Sequence, residues 1–366
     1  MSDYLKPLTS LRFFAAVWVI LFSYWPLLQG AAPLWIIARG YLGVDLFFIL
    51  SGFILCHVYL ESFGTGKFQY GQFIVNRLAR IYPLHIATLL FTLALVMAAA
   101  VNGLTLDSHV ASWASLPAQI FMVHAWGLAP EASWNHPSWS ISAEWFAYLL
   151  FPVFASVTWG LRSRPVVAVA LAAAFLTILY WAFEALAGFR LTSATFMWGA
   201  LRIVPCFALG CAVYLAWRAG AVESKAVALG GVAVSLAVIL GAAALMTSDA
   251  LVVLALGGLI LSVGGLATAD GKGIMSNRVL VYLGNVSFAM YMVYVPWKWV
   301  FTKAAGMILG SEESLPLMWW LGGFVAIIPI AMLAHHVVEN PMRNVVRHIG
   351  DGVRYRLNYR LQGTSK

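Results

Sequence analysis

The sequence predicts an all-α polytopic membrane protein of about ten transmembrane helices with N- and C-termini cytoplasmic. Three observations carry that prediction. Hydrophobic residues make up 62% of the chain and charged residues 10%, with a mean hydropathy of +0.86, and water could not hold such a surface. Apolar runs of about twenty residues recur from one end to the other, each long enough to cross ~30 Å of hydrocarbon. The ~10-residue alternating segments of a β-barrel are missing.

The first span, 9–29, lacks a small-residue cleavage site and outlasts a signal peptide, so it reads as a retained helix. The second, 41–61, carries Asp45 near its start and a Ser51-Gly52 pair at its middle, where small side chains allow close approach. The third, 81–101, follows a basic lead-in that holds Arg77 and Arg80. The connection 102–138 has no Lys or Arg; its apolar piece, Leu116 to Leu128, is too short to span and lies at the interface or re-enters. Further spans follow at 139–160, 165–186, 199–217, 226–246, 250–268, 279–301 and 316–338. Residues 1–340 form the transmembrane domain. Residues 341–366 form a basic cytoplasmic tail whose interleaved Tyr355, Leu357, Tyr359 and Leu361 suit anionic lipid.

With the N-terminus inside, only Arg39, Arg190, Arg202, Lys298 and Lys303 of the 22 Lys and Arg fall outside. That asymmetry obeys the positive-inside rule and explains the net charge of +8 without nucleic acid. Cys56, Cys206 and Cys211 sit in apolar segments without C-x-x-C spacing and read as small buried residues. His85, His124, His335 and His336 show no ligand spacing with a carboxylate, so no metal is expected.

Polar residues gather at two levels. At 1.5 Å per residue, Ser23, Asp45 and Glu144 each fall about four to six residues, or ~6–9 Å, below the outer face. Intramembrane carboxylates usually face a bundle interior or a wet cavity, although pairing with Arg39 or Arg202 would account for them too. His136 stands at the outer mouth near Glu144 as a substitute acid or base. At the inner end, Arg77 and Arg80 share one helix face and Arg12 lies within the first span, a set suited to phosphates.

Five segments carry a resemblance to a known family, in order along nearly the whole chain: Leu11 to Ala16, Gly43 to Leu55, Arg77 to Pro83, Ser138 to Trp145 with Tyr148 and Pro152, and Asn285 to Tyr291 followed by Val338 to Pro341. Together they resemble the family 3 membrane acyltransferases. The resemblance implies a ten-helix acyltransferase in the bacterial inner membrane. It would move an acyl group, usually acetyl, from cytoplasmic acetyl-CoA (acyl-CoA) to a hydroxyl of an exported polysaccharide or lipid-linked sugar. Arg12, Arg77 and Arg80 would then hold coenzyme A phosphates, with Ser51 and Gly52 along the path of the pantetheine arm. Ser23, Asp45, Glu144 and His136 would stand at the reacting level, and Trp139, Ser140 and Tyr291 at the acceptor. A homodimer is compatible with the pattern, which does not fix oligomeric state.

The family has a catalytic histidine where this chain reads Ser23, and serine has no proton affinity near neutral pH. The matching surroundings favour a His→Ser change that leaves an impaired enzyme. A natural non-catalytic relative would carry the same serine, as would an enzyme whose base lies elsewhere, at His136 or Glu144. An acyl-enzyme route needs an activated nucleophile, and no partner base for Ser23 is evident in the sequence. Tyr294 is a second departure, at a position where histidine is common. A transporter of lipid-linked sugar, or a non-catalytic partner handling acyl-CoA, is the alternative class; the two halves show no inverted repeat to support transport.

Overall fold

The computed structural model describes residues 5–32, 34–103, 110–269 and 273–350. Its helices in chain order are α1 (Lys6–Tyr24), α2 (Trp35–Ala38), α3 (Gly43–Gly64), α4 (Tyr70–Val101), α5 (Leu116–Ile120), α6 (Trp139–Leu149) and α7 (Phe151–Gly160). There follow α8 (Pro165–Ala187), α9 (Gly199–Arg218), α10 (Lys225–Ala244), α11 (Asp249–Ala269), α12 (Arg278–Leu309), α13 (Leu317–Val325) and α14 (Ile327–Ala334). Among the described residues nine helical segments are long and apolar enough to cross a bilayer, or ten with the bent pair α6–α7. The protein is therefore an all-α integral membrane protein, as the hydropathy predicts.

Three elements differ from their sequence boundaries. The fourth span is two helices that meet at 57°. Pro152 explains the break: its ring would clash with the carbonyl one turn earlier and it has no N–H to donate, so it sits in the first turn of α7. Helix α4 begins eleven residues before the expected 81, so Arg77 and Arg80 lie within it rather than before it. Past α14, a wide turn at His335–Glu339 leads on in helix to Gly350, into the expected tail; residues 351–366, with their interleaved tyrosines and leucines, lie outside the described residues.

The connection between α4 and α6 packs inward. Gln119, His124, Ser133, Trp134, Asn135 and Ser138 are all buried, and Asn135 Nδ2 donates 2.9 Å to the Met292 carbonyl. That carbonyl is free because Pro296, four residues on, cannot donate to it. Trp126 Nε1 donates to Ser142 O at 2.9 Å, tying the connection to α6 as well.

Helices α3 and α9 run side by side with matched direction, from Asp45 opposite Arg202 to Glu61 opposite Arg218. Their backbones nearly touch where Gly52 meets the Phe207 carbonyl and Gly210 meets Ile49. In lipid no hydrophobic force drives such pairs together, so close packing of small residues and polar links carry the association. A leucine at Gly210 would press on the Ile49 carbonyl and on Phe53 N. Gly210→Leu is expected to cost ~1–3 kcal/mol or more and lower the denaturation midpoint in detergent. Gly230→Ala, where a Cβ meets nothing within 4 Å, is the control and should leave the midpoint level or higher. Equal midpoints for both variants would contradict the contact.

Candidate functional site

A cavity of about 340 Å³ lies between α1, α3, α4, α6 and α12. Its polar lining comes from Thr9 and Arg12, Ser51 and His57, Arg77 and Arg80, Ser140, Glu144 and Tyr148, and Asn285 and Tyr291. Seven residues singled out from the sequence therefore converge on one space: Arg12, Arg77, Arg80, Ser51, Glu144, Ser140 and Tyr291. Asp45, Gly52, Trp139, Ser23 and His136 lie outside that lining.

The arginine end follows from helix geometry. Three residues apart on α4, Arg77 and Arg80 project to one side, and Arg12 enters from α1 beside Arg80. The Arg77 guanidinium sits 5.7, 5.9 and 5.8 Å from the ring centres of Tyr59, Phe73 and Tyr148. These aromatic faces hold its plane and attract its charge. Its Nε is buried without a hydrogen-bond partner among the described residues, a donor left for a ligand. Glu339 backs this end: His335 Nδ1 lies 2.7 Å from its carboxylate, Arg343 donates to it, and Arg80 and Arg12 are within its electrostatic reach. Three guanidinium groups line the cavity against the single carboxylate of Glu144, so the space is electropositive and suited to phosphate oxygens.

Further along, Ser51 Oγ donates 2.8 Å to Glu144 Oε1 and the Tyr148 hydroxyl donates to the same oxygen. Both bonds land on Oε1, and among the described residues no hydrogen bond to Oε2 accompanies them. The depth expected for Glu144 is thereby corrected. It is level with Ser51, six residues or ~9 Å beyond Asp45 along α3. The inward-packed connection is the reason, because α6 starts inside the bundle with Trp139 already buried. Ser51 and Glu144 thus flank the middle of the cavity, not its end.

Asp45 is fully buried and held by Arg202, with Nε to Oδ1 at 3.0 Å and Nη2 to Oδ2 at 2.6 Å. Arg202 also donates to the carbonyls of Ala194 and Tyr41, and its guanidinium lies 5.0 Å from the Trp139 ring. Of the two surroundings the sequence allows for Asp45, the structure shows the arginine pair. Gly52 faces α9, not the cavity. His136 is exposed beside Phe196, 5.6 Å ring to ring. Ser23 meets a residue that sequence reasoning missed: Lys298 Nζ donates to Ser23 O at 2.8 Å and stands 3.5 Å from Ser23 Oγ. Its one signal in the sequence is its spacing, seven residues or two helical turns beyond Tyr291.

Beside the cavity, a second buried cluster joins the inward connection to α4. His85 Nε2 is 2.8 Å from Gln119 O, and Ser138 Oγ is 3.1 Å from both Gln119 Oε1 and His124 Nε2. Burial, helped by His85 nearby, pushes His124 down to about 3, so this imidazole is neutral at ordinary pH and acts as a hydrogen-bonding strut. Among the described residues no three His, Cys, Asp or Glu side chains converge as metal ligands.

A family model described as an acyltransferase domain matches residues 7–336. Acyltransferase MdmB of Streptomyces mycarofaciens is 29% identical over 373 residues, covering 92% of this chain and 91% of that protein. Protein 2 in the picA locus of Rhizobium radiobacter is 43% identical over 67 residues, 18% of this chain and 35% of that one. O-acetyltransferase OatA of Staphylococcus aureus is 26% identical over 159 residues, 41% of this chain and only 24% of OatA. No solved structure matches.

Removing one partner of the Asp45–Arg202 pair strands a buried charge. Arg202→Met is expected to cost ~3–5 kcal/mol, and adding Asp45→Leu should recover most of it. Denaturation midpoints of the single and double variants in detergent measure this; a double variant no more stable than the single would contradict the pairing.

Proposed function

This chain belongs to the acyltransferase family whose model spans residues 7–336, and on that premise we propose that it is an acyl-CoA-dependent membrane O-acyltransferase of an exported glycan. The observation that carries the reading is a cavity with arginines at one end and Ser51, Glu144, Ser140 and Tyr291 beyond them. By the charge asymmetry of the loops, the arginine end faces the cytoplasm, where acyl-CoA is made, and both termini lie there too. The membrane is a bacterial inner membrane.

In this reading Arg77, Arg80 and Arg12 bind the phosphates of coenzyme A. Arg77 Nε supplies a donor already stripped of other partners, so occupying it costs no existing hydrogen bond. The pantetheine arm then runs between α3 and α6, where Glu144 Oε2 accepts a hydrogen bond from an amide N–H of the arm. The thioester lies beyond, on the side of Tyr291 and Ser140. The acyl group passes to a sugar hydroxyl arriving from the far face; the C–S bond breaks and coenzyme A leaves as the thiol. Asp45 supports this arrangement through Arg202 and Trp139, which stands at the first position of α6, the helix that bears Glu144. The acetyl group is the favoured cargo, and a polysaccharide or lipid-linked sugar the favoured acceptor.

Ser23, in place of the family histidine, favours a second reading in which the protein binds acyl-CoA without transferring the acyl group. Saturable binding of acetyl-CoA without glycan acylation, unchanged by Ser23→His, would decide for that reading.

Two measurements test the donor site. Loss of a charge-assisted contact is worth ~1.5–3 kcal/mol, so Arg80→Ala should weaken acetyl-CoA binding by ~10–100-fold in titrations of the purified protein. Unaltered affinity in both Arg80→Ala and Arg77→Ala would remove the phosphate site. Glu144→Gln should keep near-normal affinity for coenzyme A fragments lacking the arm and lose affinity for the intact acyl-CoA; equal effects on both would place Glu144 elsewhere.

A further inference from the structure

Ser23 and Lys298 lie beyond the cavity, on the helix faces that line it. On α1 the lining residues Leu5, Leu8, Thr9 and Arg12 follow helical spacing, and the same stripe reaches Ser23 three turns on, ~16 Å beyond Arg12. On α12 the lining residues Asn285, Phe288 and Tyr291 lead in the same way to Lys298, two turns or ~10 Å beyond Tyr291. The two stripes meet where the lysine amine donates to the Ser23 carbonyl and faces the Ser23 hydroxyl at 3.5 Å.

Both side chains are oriented for something other than packing. Hydroxyls inside helices usually bond the carbonyl one turn back, as Thr88, Thr92, Thr158, Thr177 and Thr302 do here. Among the described residues the Ser23 hydroxyl makes no such bond and is turned to Lys298 instead. Lys298 is half-buried and no carboxylate among the described residues pairs with it, in contrast to Lys303 just beyond it, which is bonded to Glu312 at 2.7 Å. Its amine is held between the Ser23 carbonyl and the Tyr24 ring, 5.8 Å from the ring centre. Lysines set in such places serve as bases, and serine–lysine pairs are one of the recurring solutions to activating a hydroxyl.

Resting on the acyl-transfer reading above, we propose that Ser23 and Lys298 form a nucleophile–base pair that carries the acyl group as an ester on Ser23. The neutral amine of Lys298 takes the proton of Ser23 Oγ as that oxygen attacks the thioester carbonyl carbon. An Oγ–C bond forms, the tetrahedral intermediate collapses, the C–S bond breaks, and the lysine ammonium returns the proton to the departing sulfur as coenzyme A thiol. In the second half Lys298 takes the proton of the acceptor hydroxyl, whose oxygen attacks the ester carbon. The C–Oγ bond breaks and Ser23 recovers its proton from the ammonium. Direct contact of an apo pair is often longer than in the loaded state, which accommodates the 3.5 Å separation.

The test is trapping without acceptor. Purified protein is mixed with acetyl-CoA labelled in the acetyl group, quenched in acid, and its peptides are read by mass spectrometry. The expected result is one acetyl ester per chain on Ser23, released by hydroxylamine. Label should vanish in Ser23→Ala and in Lys298→Met, with acetyl-CoA still bound by both. Lys298→Arg keeps an N–H donor to the Ser23 carbonyl but cannot shed its proton, so it should fold with an unchanged denaturation midpoint and take no label. Bound acetyl-CoA with no ester on Ser23 overturns the pair alone. Equal labelling of Lys298→Arg and the parent overturns the role of the lysine. Absence of any acetyl-CoA binding overturns the donor site and the pair together, which separates the two failures.

Discussion

A guanidinium shared by three helices holds this site in place. Arg202 on α9 grips Asp45 on α3, reaches the Tyr41 carbonyl before α3, and lies against Trp139 at the start of α6. Burying two charges carries a large desolvation cost, so the pair contributes little net stability; what it supplies is geometry, since few arrangements satisfy every donor of the arginine at once. Position matters because α3 carries Ser51 and α6 carries Glu144, whose hydrogen bond forms only when the two helices hold this register. The glycine contact between α3 and α9 sets the distance, and the ion pair sets the register.

The cavity shows how a membrane protein concentrates charge where lipid forbids it. Each arginine lining it is offset locally: Arg77 by three aromatic faces, Arg80 and Arg12 by Glu339 and Glu144 nearby. The offset is partial, so a net positive field is left in a low-dielectric space, where it acts more strongly on an anion than it would in water. The same helices that bring the charges also surround them, and the polar groups of Ser51, Tyr148 and Glu144 continue the polar lining inward.

The far end holds a different polar pair. There Lys298 from α12 stands against Ser23 on α1. The bond from Tyr24 hydroxyl to Tyr294 O and the bond from Trp320 Nε1 to Tyr24 O fasten α1 to α12 and α13 around that point. Such support limits how far the serine and lysine can drift apart, as the proposed pair requires.

Much of this was legible in one dimension. Hydropathy and the distribution of Lys and Arg gave the helical membrane class and the count of about ten spans, because bilayer thickness fixes the length of every apolar run. The spacing of Arg77 and Arg80 placed both on one face of a helix, because 3.6 residues per turn is a local property. Depth was read less well. Counting residues from a presumed surface put Glu144 level with Asp45, and the inward-packed connection before α6 moved it to Ser51. Asp45 and Arg202, 157 positions apart, and Ser23 and Lys298, 275 apart, meet only through packing. The sequence by itself determined which segments are helices in lipid and which faces carry charge. Tertiary structure alone decided which of those faces meet, because the crossing of α3 with α9 and the docking of α12 on α1 depend on contacts that no local periodicity encodes.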